Sequence, residues 1–126
     1  MIVVVVIGIL AAIAIPNFAN IRNHALEGAV KANMHTFQMA MEDYAVTSDG
    51  IYATGAEKAL VKALVPGGDW PTNPFTKTRL TDAEVAFGAD PDASGEMGAN
   101  PATSTEYAIR GYGKSAQLSL VLTNGS

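Results

Sequence analysis

The first 47 residues carry two different hydrophobic rhythms. From Met1 to Ile15 every position except Gly8 is apolar, which predicts a helix apolar on all its faces. Further on the apolar residues thin out: Leu26, Val30, Met34, Phe37, Met41 and Tyr44 recur at steps of three and four. At 100° per residue they fall within an arc of about 80°, the stripe of an amphipathic helix that packs on a sheet. His24, Glu27, Lys31, His35, Gln38 and Glu42 lie on the opposite face and are expected in solvent. Glu27 and Lys31 have the spacing of a favourable i,i+4 ion pair. The turn cluster Thr47-Ser48-Asp49-Gly50 stops the pattern. One helix over residues 1–47 would be roughly 70 Å long, far more than a globule of 126 residues needs. Its apolar half calls for cover from outside its own chain, by lipid or by further copies.

Pro16 interrupts this helix. A proline inside a helix removes an amide donor and crowds the carbonyl four residues earlier, here Ala12. Gly8 weakens the stretch from the other side, so Gly8 to Pro16 is expected to be a soft segment within an apolar rod. The strictly apolar run spans roughly 22 Å as a helix, short of a bilayer core of about 30 Å. No basic residue precedes it, as a secretory signal would require. Two readings stay open: a buried core helix, or part of a longer membrane segment.

The C-terminal half predicts a small α+β head. Ala56 to Leu64 has short helical periodicity and ends at Pro66-Gly67-Gly68. Trp70-Pro71-Thr72-Asn73-Pro74-Phe75 reads as a rigid extended loop whose aromatics pack on the sheet. Glu84 to Phe87 is a short strand candidate. Glu106 to Gly111 and Gln117 to Leu122 read as a hairpin turning near Gly113-Lys114-Ser115. The expected fold is a long N-terminal helix on an antiparallel sheet of three to four strands. Residues 1–21 form an apolar membrane or filament-core segment, and residues 22–126 a head that includes the helix to about residue 47.

Composition narrows the function classes. Charged residues make up 16% of the chain, below the roughly 25% usual for soluble domains, and none occurs before Arg22. The net charge of −4 gives no support for nucleic-acid binding. With no cysteine there is no disulfide, thiolate metal site or thiol nucleophile. The two histidines, His24 and His35, are 11 positions apart, roughly 16 Å along a helix, too far to share a metal. No nucleophile elbow, phosphate loop or zinc spacing is present. The chain presents no catalytic constellation and no cofactor site, and is not expected to be an enzyme.

The string IVVVVIGILAAIAIPNF followed by an amphipathic helix resembles the N-terminal region of type IV pilins and the related pseudopilins. The likeness covers about residues 1–50. Aligned on Pro16, this chain begins about six residues into the family pattern, past the methylated N-terminal residue, its nearby glutamate and the cleavage site. The resemblance implies a subunit held in the bacterial inner membrane, handled by a prepilin peptidase and by pilus or secretion assembly machinery, then polymerised into an extracellular filament. It assigns Ile7, Leu10, Ile13, Ile15, Phe18 and Ile21 to the packed filament core, and makes Gly8 and Pro16 an assembly weak point where the helix unwinds. Motility, adhesion and DNA uptake are all duties of such fibres. The alternatives are a type II secretion pseudopilin and, in another class, a membrane-anchored monomeric binding module or minor tip subunit.

Many members of that family brace the head with a disulfide, and this chain needs another device. The loop Gly88-Ala89-Asp90-Pro91-Asp92-Ala93-Ser94-Gly95-Glu96 spaces oxygen donors at Asp90, Asp92, Ser94 and Glu96 around a turn-forming Gly95, a pattern suited to calcium. The full EF-hand pattern fails, because Pro101 stands where the distal bidentate glutamate belongs. Some pseudopilins bind calcium in a comparable loop; the plain alternative is an acidic surface loop. Thr103-Ser104-Thr105 and Ser126 offer hydroxyls for glycans.

Overall fold

The computed structural model describes residues 1–14 and 18–124. Helix α1 (Ile2–Ala14) is followed by α2 (Phe18–Thr47), a short helix α3 (Lys58–Leu64), and strands β1 (Val85–Phe87), β2 (Met97–Ala102), β3 (Tyr107–Tyr112) and β4 (Gln117–Thr123). The class is α+β, with α2 packed across a four-stranded sheet in the order β1-β2-β3-β4. The expected apolar-to-amphipathic rod is described as the two helices α1 and α2, and its continuity through residues 15–17 lies outside the described part. Among the described residues no helix is long and apolar enough to cross a membrane.

The sheet is mixed, and not wholly antiparallel as the alternation suggested. β2–β3 and β3–β4 pair antiparallel, but β1 runs parallel to β2, with Val85 opposite Met97 and Phe87 opposite Ala99. A tight hairpin can only reverse direction, whereas a parallel partner needs a connection that carries the chain back to its starting end. Residues 88–96 make that return. β2 was not foreseen because Gly98, Asn100 and Pro101 are poor strand formers. Its regular pairing breaks between Ala99 and Ala102. Gly98 is required where it sits, since a Cβ there would lie 3.0 Å from the Ala86 carbonyl oxygen.

The stripe read on α2 faces the sheet. Val30, Met34, Phe37 and Met41 are buried, while Leu26 and Tyr44 are half-buried at its two ends. Phe37 meets Phe87 edge-on at 5.5 Å between ring centroids and Trp70 at 5.7 Å, tying β1, the Pro-rich loop and α2 into one core. β3 passes so close over α2 that a Cβ on Gly111 would lie 2.6 Å from Met34 Sδ. α2 ends as the turn cluster predicts: Asp49 takes φ 58° and the Gly50 amide reaches back to the Ala45 carbonyl at 2.8 Å, a capping geometry that satisfies last-turn acceptors.

The polar face of α2 departs from expectation. Three of its members are drawn toward the sheet. Gln38 Nε2 donates to the Thr123 carbonyl at 3.1 Å, Glu42 accepts from the Tyr107 hydroxyl, and Glu27 Oε1 lies 3.4 Å from the Lys114 amide. The Glu27–Lys31 ion pair is not formed; Glu27 Oε2 instead lies 4.0 Å from His24 Nδ1. Gln38 thereby supplies a partner to a carbonyl of the edge strand β4, Glu27 faces an amide of the β3–β4 turn, and Glu42 takes up the buried Tyr107 hydroxyl. Burial, reinforced by Glu42, pushes the Tyr107 hydroxyl well above the usual tyrosine range.

Trp70, the single tryptophan, is fully buried and donates its indole N–H to Asp82 Oδ1 at 2.7 Å. The same oxygen accepts from Lys62 Nζ at 3.1 Å. The indole bond first, and Lys62 second, hold the Asp82 carboxyl below the usual aspartate range. A lowered folded-state pKa stabilises the protein above the unfolded value and is lost as pH falls through the folded one. Asp82→Asn should therefore flatten the acid limb of stability below about pH 4. Thermal melts followed by Trp70 fluorescence check this, and an unchanged acid limb would refute the coupling.

Candidate functional site

Two surfaces stand out: the uncovered face of the N-terminal helices and the braced base of the head. Every residue from Met1 to Ile13 is exposed. Of the residues assigned to filament packing, Ile7 and Leu10 are each 60% exposed, Ile13 65% and Ile21 64%. Ile15 and the Phe18 side chain fall outside the described part. Gly8 lies within α1, which continues as regular helix to Ala14, and open space surrounds it. Its partner in the weak point, Pro16, lies outside the described residues. Farther along, α2 exposes Met39 and Val46. The head meanwhile completes its own core, so the surplus apolar surface is concentrated on α1.

The acidic loop is organised by protein groups. Asp90 Oδ1 accepts from Asn100 Nδ2 at 3.1 Å and lies 3.5 Å from Arg110 Nε. Glu96 Oε2 is within 3.4 Å of the Asp92 and Ala93 amides, and burial holds its carboxyl above the usual glutamate range against their pull. Ser94 Oγ donates to the Lys114 carbonyl at 2.8 Å. Three of the four side chains read as a calcium set, Asp90, Ser94 and Glu96, thus bond protein groups, and the Asp92 amide is one of the partners of Glu96. Among the described residues no group of three or more His, Asp or Glu is placed to hold a metal ion.

The loops of the head are braced by Asn73, buried to 1% exposure. Its Oδ1 accepts from the Phe75 amide at 2.9 Å and the Thr76 amide at 3.4 Å, and its Nδ2 donates to the Ser94 carbonyl at 2.9 Å. Gly95 completes the joint with φ 81°, and a Cβ there would lie 1.9 Å from Asn73 Oδ1. Asn33 Nδ2 on α2 bonds the neighbouring Thr72 carbonyl at 2.9 Å. The Pro-rich loop, the acidic loop and the β3–β4 turn are thereby locked together and to α2. The sequence reads residues 70–75 as a rigid extended loop and gives no sign that the Asn73 carboxamide is a buried hub.

Phe75 and Lys114, whose backbone groups are bonded by Asn73 and Ser94, line a cleft of about 280 Å³ together with Ala19, Arg22, Asn23 and Leu26. The Lys114 ammonium stands 6.0 Å from the centroid of the Phe75 ring. Neither Arg22 nor Lys114 has a carboxylate within ion-pair distance among the described residues. The cleft was not legible in the sequence, because its residues come from three separate segments.

Asn73→Ala should destabilise the head by about 2–4 kcal/mol, because it strands a buried amide and a buried carbonyl. Gly95→Ala should be severe on its own, and the pair should cost clearly less than the sum of the singles, since the clash is with the Asn73 side chain. Urea unfolding of the four proteins measures this; additive losses would contradict the joint. No protein-family model, no curated protein and no solved structure matches this chain.

Proposed function

We propose that the chain is the structural subunit of a type IV pilus, held in the bacterial inner membrane by its N-terminal segment and then polymerised through it into an extracellular filament. The observation that carries this reading is the division of labour in the chain. The head buries its own core, while α1 exposes apolar side chains on every face, a surface unsuited to water. The resemblance of residues 1–50 to the pilin pattern supplies the identity of the polymer. On this reading prepilin peptidase and the pilus assembly machinery are the processing partners, and Gly8 with Pro16 is where the helix yields as subunits leave the membrane.

Immunogold electron microscopy of native cells, with antibody against residues 50–126, tests the reading. Labelled fibres extending well beyond the cell are expected. Label confined to the envelope without fibres would overturn it in favour of a secretion pseudopilin or a monomeric anchored module. Leu10→Asp should abolish fibres with the head still folded, because a charge among packed apolar helices has no partner. Deleting residues 1–20 should give a monomer with the melting temperature of the intact head, checked by light scattering and calorimetry.

A further inference from the structure

We propose that the cleft at Arg22, Asn23, Phe75 and Lys114 binds the phosphodiester headgroup of an anionic phospholipid while the subunit is in the membrane. The inference rests on the membrane stage of the function above. The chain is acidic overall, at −4, so attraction to an anionic surface must be local. Most of its other cations are engaged. Lys62 lies 3.4 Å from Asp69 and 3.1 Å from Asp82, Lys58 donates to the Asp82 carbonyl, Arg110 faces Asp90, and Arg79 donates to the Trp70 carbonyl. Arg22 and Lys114 are exposed, line one cleft, and have no carboxylate within ion-pair distance among the described residues; Lys31 and Lys77 have none either but do not line the cleft.

The place of the cleft in the chain fits the ligand. Arg22 is the first charge after 21 uncharged residues, and Ala19, Arg22 and Asn23 lie in the opening turns of α2. A segment that puts α1 among acyl chains delivers these residues toward the headgroup layer. Arg22 supplies a planar fork for phosphate oxygens and Lys114 a mobile point charge. The Asn23 amide adds a donor, while Ala19, Leu26 and the Phe75 ring give an apolar floor for the glycerol and upper acyl carbons. The cationic wall is rigid, because the backbone of Lys114 is held by Ser94 Oγ and Glu27 Oε1 and that of Phe75 by Asn73. The Glu27 carboxylate, 3.4 Å from the Lys114 amide, lies 4.0 Å from His24 on its other oxygen.

The test uses the full chain in uncharged maltoside micelles, with backbone amide NMR signals followed as short-chain phosphatidylglycerol is added. Saturable shifts are expected at Asn23, Phe75 and Lys114, with little response to phosphatidylcholine. Each cation near an anionic headgroup is worth about fivefold in affinity, so Arg22→Gln with Lys114→Gln should weaken binding roughly 25-fold. Lys31→Gln, nine residues from Arg22 and about 13 Å farther along the helix, should change little. Equal response to both lipids, or equal loss in Lys31→Gln, would overturn the proposal. Inorganic phosphate giving the same shifts at the same affinity would make this a free-anion site and overturn the headgroup assignment. Shifts that follow protein concentration without lipid would assign the cleft to a second copy of the chain. The titration requires no filament, so absence of fibres from cells would count against the pilus reading and leave this result standing. Flotation of the wild-type chain with neutral vesicles tests the anchoring step separately.

Discussion

The head is organised around one buried carboxamide. Asn73 satisfies amides in its own turn and a carbonyl in the acidic loop, and Ser94, next in that network, bonds the β3–β4 turn. A buried amide with its donors and acceptors paired contributes a modest net stabilisation, but any rearrangement leaves groups unpaired at full desolvation cost. The joint therefore selects one geometry over its neighbours more than it adds stability. That suits a chain without cysteine, in which three irregular segments have to be fixed against each other. The consequence reaches the surface, since the same bonds set the positions of Phe75 and Lys114 in the cleft.

α2 serves two masters. Its apolar stripe is consumed by the sheet, and its flanking polar residues Glu27, Asn33 and Gln38 bond loop and strand backbone while Glu42 accepts from the Tyr107 hydroxyl. These tethers fix the rotation of the helix about its own axis more tightly than hydrophobic packing, which is non-directional. With rotation fixed, Ile21, Met39 and Val46 are committed to the outside. The outward apolar positions are then a property of the folded head and do not depend on a partner to choose them.

Periodicity was sufficient for α2, for its C-terminal stop and for the β3–β4 hairpin, where apolar spacing and burial express the same physics. It failed for β2, where Gly98 and Pro101 look like loop and the pairing with β1 and β3 decides the conformation. It also failed for the direction of β1, which depends on where the loop of residues 88–96 returns the chain. Thr54-Gly55-Ala56-Glu57 carries a capping-box signature before α3, with the Glu57 carboxylate on the Thr54 amide at 2.9 Å; apolar spacing alone passes over it. In the acidic loop, evenly spaced oxygens meet Arg110, backbone amides and the Lys114 carbonyl, contacts that spacing in sequence does not reveal. The cleft lay beyond sequence reading, as residues 22, 75 and 114 meet only after the Asn73 joint closes.

Magnitudes indicate which part of the chain drives association. Ten large apolar residues between Met1 and Ile13 are from about half to fully exposed. Covering each stabilises by about 1.5–3 kcal/mol, so together they hold roughly 15–30 kcal/mol of unspent burial. That exceeds the about 5–15 kcal/mol by which a whole domain is normally stable. An isolated subunit in water therefore has more to gain from covering α1 than from folding the head. The head has its own core around Phe37, Trp70 and Asn73, so the gain left to association lies in α1. Lipid and the apolar helices of further copies offer comparable cover to such a surface. The choice between them then falls to weaker, directional terms: helix packing in an assembly, and charge at the head's base in a membrane.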